Sequence, residues 1–293
     1  MEAFDYMRPT SVVDACAALR EAGGTARALA GGTDILVQMR EGKLRPAALV
    51  SLRDVPGLRS VRRAQDGGLT IGAATRLIDI ETSPDVLRDH AALAEAASWI
   101  GSVQVRDRAT IGGNLCNAAP SADTAPILIA YGSSVTISDG RDERTLPLED
   151  FFTGPGETVL EPGELLTAIS VPPAPARSHA KYYKTFRSAM DCCTVGVAVL
   201  VVFAPDSRVV EDARVVLGAI APTPIRAPRC EEMLRGKELD TALMASVGAL
   251  AAEEARPIDD VRASAEYRRV LAEVLTKRAL AAADSWLQKG AGA

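Results

Sequence analysis

Apolar residues in this chain recur with a period near two in some stretches and near three and a half in others, with clusters of Gly, Pro and Asp between them. Over Ser11 to Ala22 the spacing predicts a helix; "SVVD" has the form of a capping box and Gly23-Gly24 supplies the stop. "ARALA" then reads as a short strand running into "GGTD", Gly31 to Asp34, with a short helix after it. "AALVSL", Ala47 to Leu52, is a second short strand, so the first ~60 residues read as a small α/β unit. Farther on, Gly67 to Thr75 reads as a strand. Asp85 to Ser98 reads as one amphipathic helix with Val86, Leu87, Leu93 and Ala97 near one face. "DTAPILIAYG" suggests a short apolar helix. "SSVTISDGRDERTLP" suggests a hairpin with Asp139-Gly140 in its turn, and Glu164 to Pro172 another strand.

The grammar changes at "PPAPAR", Pro172 to Arg177, a stiff proline-rich linker. Beyond it "KYYKTFR", "TVGVAVLVVFA" and "ARVVLGAI" read as an antiparallel meander with a turn at "PDSR". From Arg229 onward helices dominate, ending in the long stretch "SAEYRRVLAEVLTKRALAAADSWL". Strands followed by helices indicate a separate α+β unit.

Composition narrows the classes. A length of 293 residues suits two domains of roughly 100–200 residues each. With 47% hydrophobic and 24% charged residues the chain is expected to fold as an ordinary soluble globule. A net charge of −5 argues against nucleic acid as the main partner. The longest apolar run, Cys192 to Ala204, is shorter than the about 20 residues of a membrane span. The first residues carry acids and no long apolar core, so a secretory signal is not expected and the cytoplasm is. Five cysteines without a CxxC spacing argue against a disulfide framework and against zinc or iron–sulfur ligation by this chain. Two histidines leave a triad or a His-based metal site poorly supported.

Two glycine pairs carry the candidate chemistry. "LAGGTDIL", Leu29 to Leu36, lies between a predicted strand and a predicted helix; glycines there let backbone N–H groups point at an anion. "TIGGN", Thr110 to Asn114, is the second, with Asp123 nine residues beyond Asn114. Together the pairs are able to grip a pyrophosphate from both sides. Thr33, Thr110 and Asn114 then offer side-chain bonds and Asp123 an acceptor for sugar hydroxyls. Each Gly-Gly alone is equally compatible with a plain turn, and Asp123 with a helix cap. Neither the dinucleotide fingerprint G-x-G-x-x-G after a strand nor a P-loop is present; "GPGETV" lacks the third glycine.

Four segments in order resemble a known family: "FDYMRPTSVVDACAALREAGGTARALAGGTDILVQMR", "GSVQVRDRATIGGNLCNAAPSADTAP", "LEDFFTGPGETVLEPGELLTAISVP" and "DDVRASAEYRRVLAEVLTKRAL". Over essentially the whole chain they look like the FAD-binding medium subunit of molybdenum hydroxylases, the xanthine dehydrogenase and aerobic carbon monoxide dehydrogenase group. The resemblance implies an α+β architecture. Residues 1–175 would form a PCMH-type FAD-binding domain of two α/β subdomains, about 1–58 and 59–175. Residues 178–288 would form a smaller domain like the CO dehydrogenase flavoprotein C-terminus, with a three-stranded antiparallel sheet and a helical bundle.

As cofactor contacts the resemblance implies Leu29, Ala30, Gly31, Gly32, Thr33, Asp34 and Ile35 of the first segment, and Thr110, Ile111, Gly112, Gly113 and Asn114 of the second. It adds Asp123, an apolar contact at Ile100, and later contacts at Leu166, Lys184, Asp191 and Cys192. Where some members carry an aromatic residue against the ring, this chain has Cys192, so stacking by that side chain is lost. No catalytic residue and no metal ligand is expected in this chain. Implied partners are a large subunit with a molybdopterin-type molybdenum cofactor and a small subunit with two 2Fe-2S clusters, in a dimer of heterotrimers. Electrons would pass from those clusters through FAD to NAD+, a quinone or oxygen. A stand-alone flavin oxidoreductase and an assembly scaffold with a degenerate FAD site are the alternatives. The extra cysteine-bearing insertion of relatives that reduce aromatic acyl thioesters is not seen.

Overall fold

The computed structural model describes residues 2–188 and 190–290. The first sixty residues build a small parallel sheet. Strand β1 (Asp5–Met7) leads into helix α1 (Val12–Glu21); β2 (Ala26–Leu29) is followed by α2 (Ile35–Arg40), and β3 (Ala48–Ser51) returns to the middle, giving the order β1-β3-β2. The N-cap half of the box at α1 is formed: Asp14 N donates to Ser11 Oγ at 3.0 Å, while the Asp14 carboxylate accepts from that hydroxyl at 2.6 Å rather than from Ser11 N, and Gly23 and Gly24 take positive φ beyond the helix end. Ala15, Cys16 and Leu19 of α1 pack with Val50 and Leu52 into a core of their own.

A second, antiparallel sheet follows. Strands β4 (Val61–Arg63) and β5 (Leu69–Gly72) form one edge. The chain then runs through α3 (Leu77–Glu81), α4 (Pro84–Asp89), α5 (Ala91–Ser98), α6 (Val103–Arg106), α7 (Ile111–Cys116) and α8 (Thr124–Ala130). The hairpin β6 (Ser134–Ser138) and β7 (Glu143–Pro147) comes next, then the ribbon β8 (Phe152–Gly154) with β9 (Glu157–Thr158), and β10 (Leu165–Val171) inserts in the centre. The order is β4-β5-β10-β6-β7. Helix α8 is apolar all round and every one of its residues is buried, as such a helix must be in a globular interior.

The single helix expected over Asp85 to Ser98 is two. His90 breaks it at φ −128°, ψ 37°, and its Nε2 bonds Pro172 O at 2.8 Å. A side-chain bond to a residue 82 positions away outweighs the gain of one continuous helix. Of the apolar face expected there, Val86, Leu93 and Ala97 are buried, whereas Leu87 is exposed.

Residues 172–177 carry no regular structure and lead to a third sheet: β11 (Ser178–Thr185), β12 (Val195–Phe203), β13 (Val210–Gly218) and β14 (Ile225–Arg226), in that order and antiparallel throughout. The three strands expected from the apolar runs are joined by the two-residue β14, too short to leave a pattern. Helices α9 (Pro228–Leu234), α10 (Thr241–Glu254) and α11 (Ala265–Gln288) cover one face. Both faces of β12 are buried, which explains its nearly continuous run of Val, Ala and Leu. Val195, Val197, Val199 and Val201 meet α10 and α11, while Ala198 and Leu200 join the core of the second sheet. Tyr182 of β11 crosses to that same core. The third sheet is thus fastened to the second by shared apolar packing.

Candidate functional site

The first glycine segment connects β2 to α2. Gly31 lies so close to the main chain of Arg108 and Ala109 that an added Cβ would sit 2.8 Å from Ala109 Cα. Gly32 takes φ +77°, which an L side chain resists. Among the described residues, the N–H groups of Gly31, Gly32, Thr33 and Asp34 find no acceptor in the protein. Four adjacent donors left without partners, in a half-buried turn, form a ready anion cradle. Thr33 Oγ1 reaches its neighbour Asp34 Oδ2 at 3.4 Å. Leu29, Ala30 and Ile35 are half-buried around the turn.

The second segment is built differently. Its amides are committed: Ile111 N donates to Thr75 O at 3.0 Å, Gly112 N to Ala73 O at 2.8 Å, Gly113 N to Thr110 Oγ1 at 3.1 Å and Asn114 N to Thr110 O at 2.9 Å. Thr110 is the N-cap of α7, so "TIGGN" is the start of a helix and not a free loop. Gly112 is glycine because the turn that follows β5 lies against it; a Cβ would meet Ala73 Cβ at 2.7 Å. A Cβ on Gly113 would touch only Thr110 Oγ1, at 2.9 Å. The picture of bare amides in both turns therefore holds for the first turn alone. The second contributes a wall, with Gly113 facing outward and polar side chains beside it. Asn114 Oδ1 accepts from Thr124 Oγ1 at 2.6 Å, and Asn117 Nδ2 donates to Asp34 Oδ1 at 3.3 Å, tying the two segments together.

Asp123 begins α8 but makes no side-chain cap bond. It looks instead across to β11: Tyr182 Oη donates to its Oδ1 at 2.7 Å and Lys184 Nζ to its Oδ2 at 3.0 Å. The side chains of Lys184 and Asp123 are 2% and 8% exposed, so the pair is buried. Burial pushes the Asp123 carboxyl up from its ordinary value; Lys184 and Tyr182 work against that. Burial and the adjacent carboxylate raise the Tyr182 hydroxyl well above its ordinary value and keep it a donor.

Lys184 Nζ also donates to Trp99 O at 2.9 Å, and lies 5.5 Å from the ring of Phe186. Trp99 and Phe186 approach at 5.5 Å between centroids, an aromatic pair beside the half-buried Ile100. Asp191 is held by Arg187 at 3.1 Å and accepts from Cys192 N at 2.8 Å. Cys192 is exposed, whereas Cys193 is buried 3.8 Å from Tyr182 Oη, and burial raises its thiol far above the ordinary range. Burial likewise pushes the Cys116 thiol up to about 12. Leu166 is buried in β10 and belongs to the core beneath α7.

The structure thus places the two glycine segments side by side, and gathers Asp123, Lys184, Ile100, Asp191 and Cys192 around the edge where β11 meets α8. Tyr182, Trp99, Phe186 and Asn117 escaped the reading of the sequence. A tyrosine two residues before Lys184 was the one signal available, since strand alternation puts both on one face. No group of three or more His, Cys, Asp or Glu able to hold a metal lies among the described residues, and no described helix is long and apolar enough to cross a membrane.

A parallel α/β unit whose strand–helix turn offers free amides, set against a second sheet and closed by a third, defines a nucleotide-cofactor carrier without the dinucleotide fingerprint. The family model described as the FAD binding domain in molybdopterin dehydrogenase matches residues 2–174, and the CO dehydrogenase flavoprotein C-terminal domain matches residues 164–283. The chain belongs to the family of FAD-binding medium subunits of molybdenum hydroxylases, the xanthine dehydrogenase and CO dehydrogenase group. It is 35% identical over 291 residues to the xanthine dehydrogenase FAD-binding subunit of Escherichia coli O157:H7, covering 97% of this chain and 98% of that one. It is 33% identical over 280 residues to the carbon monoxide dehydrogenase medium chain of Hydrogenophaga pseudoflava, covering 96% of each. A solved structure of that organism's carbon monoxide dehydrogenase superposes with a TM-score of 0.93 at 33% identity, covering 97% of this chain and 98% of that one.

Proposed function

We propose that this chain is the electron-transferring FAD subunit of a molybdenum hydroxylase, with its domain boundary in residues 172–177. The observation that carries the reading is the run of unpartnered N–H groups from Gly31 to Asp34, held against the second glycine segment by the Gly31 contact. A diphosphate supplies the acceptors such a run lacks. Leu29 to Ile35 are assigned to the phosphates, with Thr110 to Asn114 as the opposing wall. Asp123 is assigned to a hydroxyl-bearing part of the cofactor. Ile100, Leu166, Asp191 and Cys192 are assigned to the surroundings of the flavin.

FAD, when bound, accepts electrons singly and releases them singly or in pairs. The chain's own residues bind it, orient it and keep water from it. Lys184 brings a fixed positive charge to the closure between β11 and α8, where it stabilises negative charge on a bound group. In this reading a small subunit with two 2Fe-2S clusters delivers electrons, and a large subunit with the molybdenum cofactor generates them. NAD+, a quinone or oxygen removes them. The assembly is a dimer of heterotrimers in the cytoplasm.

The test is to purify the chain with its natural partners and measure flavin, molybdenum and iron. A yellow complex of three different chains, with FAD retained when this chain is separated from the others, is expected. Turnover of an organic substrate by this chain alone points to a stand-alone oxidoreductase, and failure to take up FAD in any state overturns the reading.

A further inference from the structure

Tyr182 has no role in the function above, yet it is among the largest fully buried side chains of the described residues, 1% exposed. Its neighbours make room for it in a specific way. A Cβ on Gly196, the residue of β12 paired with Lys184, would stand 2.7 Å from Tyr182 Oη. The hydroxyl is thereby delivered through the packing to Asp123 Oδ1 at 2.7 Å, while Lys184 takes Oδ2 at 3.0 Å. Tyr182 and Lys184 alternate on one face of β11, so one strand clamps both oxygens of one carboxylate on the facing unit.

We propose that Tyr182 is a positioning residue, whose hydroxyl, by donating to Oδ1, locks the Asp123 carboxylate in one rotamer and so fixes the acceptor edge that it presents to the cofactor. A carboxylate held by a single partner is free to swing about its Cβ–Cγ bond. Held at both oxygens, it presents a defined acceptor edge. The other charged and titratable groups near Asp123 are few or engaged elsewhere. Cys193 lies behind Tyr182 Oη. Glu95 of α5 is paired with Lys181 at 2.7 Å, Asp191 beyond Lys184 is paired with Arg187 at 3.1 Å, and Arg214 of β13 reaches Ala130 O at the opposite end of α8. Glu149 and Asp150 sit on the short helix after β7 and Cys116 ends α7; none of them bonds Asp123 among the described residues.

The experiment uses the full chain and Tyr182→Phe, with Tyr183→Phe as the matched control, because the Tyr183 side chain packs into the other core of the third sheet. The first readout needs no cofactor: infrared titration of the protonated-carboxyl band, with Asp123→Asn identifying the Asp123 component. In Tyr182→Phe that component appears at higher pH than in the unmodified chain, and in Tyr183→Phe it does not move. The second readout rests on the FAD reading. Tyr182→Phe weakens FAD binding about tenfold, the loss expected for one hydrogen bond to a charged group. The same substitution in an Asp123→Asn background has almost no further effect. An unmoved infrared component, or an equal loss of FAD affinity in both backgrounds, overturns the proposal and leaves the FAD reading intact. Failure of the unmodified chain to bind FAD overturns both.

Discussion

Gly31 and Gly112 are glycines for a reason different from the one a ligand-binding motif suggests: each leaves room for another piece of main chain. Gly31 admits Arg108 and Ala109, and that contact is what sets the two glycine segments side by side. Gly31→Ala should therefore cost about 1–3 kcal/mol through overpacking against an unyielding backbone. It should also empty the chain of FAD. Gly113→Ala meets only the Thr110 hydroxyl and should retain most of both. Chemical denaturation together with the flavin absorbance of the purified proteins separates the two variants; equal behaviour would refute the distinction. From the sequence the two glycine pairs look alike. A glycine facing a ligand and one facing another piece of main chain differ only in what lies opposite, and that lies far along the chain.

Helices α4 and α5 join at His90, whose ring is fully buried, bonds Pro172 O and packs edge-on against Tyr131 at 4.9 Å. Burial holds the imidazole below its ordinary value of 6.5. The folded protein then binds this proton less readily than the unfolded chain, so stability rises with pH across the interval between the two values. The contribution is complete above pH 6.5 and is lost as pH falls from there through the lower, folded value. Urea denaturation from pH 7.5 down to pH 5 should show this decline (the pH limits are roughly one unit above and one and a half units below an ordinary histidine). It should be shallower in His90→Gln, which keeps only the share of His179, itself depressed by burial. An identical slope in the variant would exclude His90 as its source. The helical character of residues 84–98 is legible in the apolar spacing. The break is not, because it answers to a carbonyl just past the end of β10, 82 residues along the chain.

At the scale of the molecule, the third sheet is joined to the second by Tyr182, Ala198 and Leu200 in the apolar core and by Lys184 reaching Asp123. Both charges are withdrawn from water, so removing one strands the other. Lys184→Met should destabilise by about 3–5 kcal/mol, and the double variant Asp123→Asn/Lys184→Met should recover a large part of that. Guanidinium unfolding of the two variants measures the difference, and a double variant no better than the single one would show that the pair is not what couples the units. Arg268 of α11 braces the same region from behind, donating to Thr194 O at 2.9 Å and Ala219 O at 2.8 Å, while Ala219 N bonds Pro120 O at 2.8 Å.

Local chemistry was enough to write most of the elements into the chain: the Ser11 cap, the glycines after α1, the Asp139-Gly140 turn, the valine run of β12 and the long terminal helix. These depend on interactions within a few residues, and the order of four motifs was enough to indicate the family. Which amides stay free, which glycine faces another piece of main chain, why one helix is two, and what Asp123 holds were decided only on folding. The partners of Asp123 are 59 and 61 residues away, and no local pattern encodes a contact that exists only once two sheets have packed.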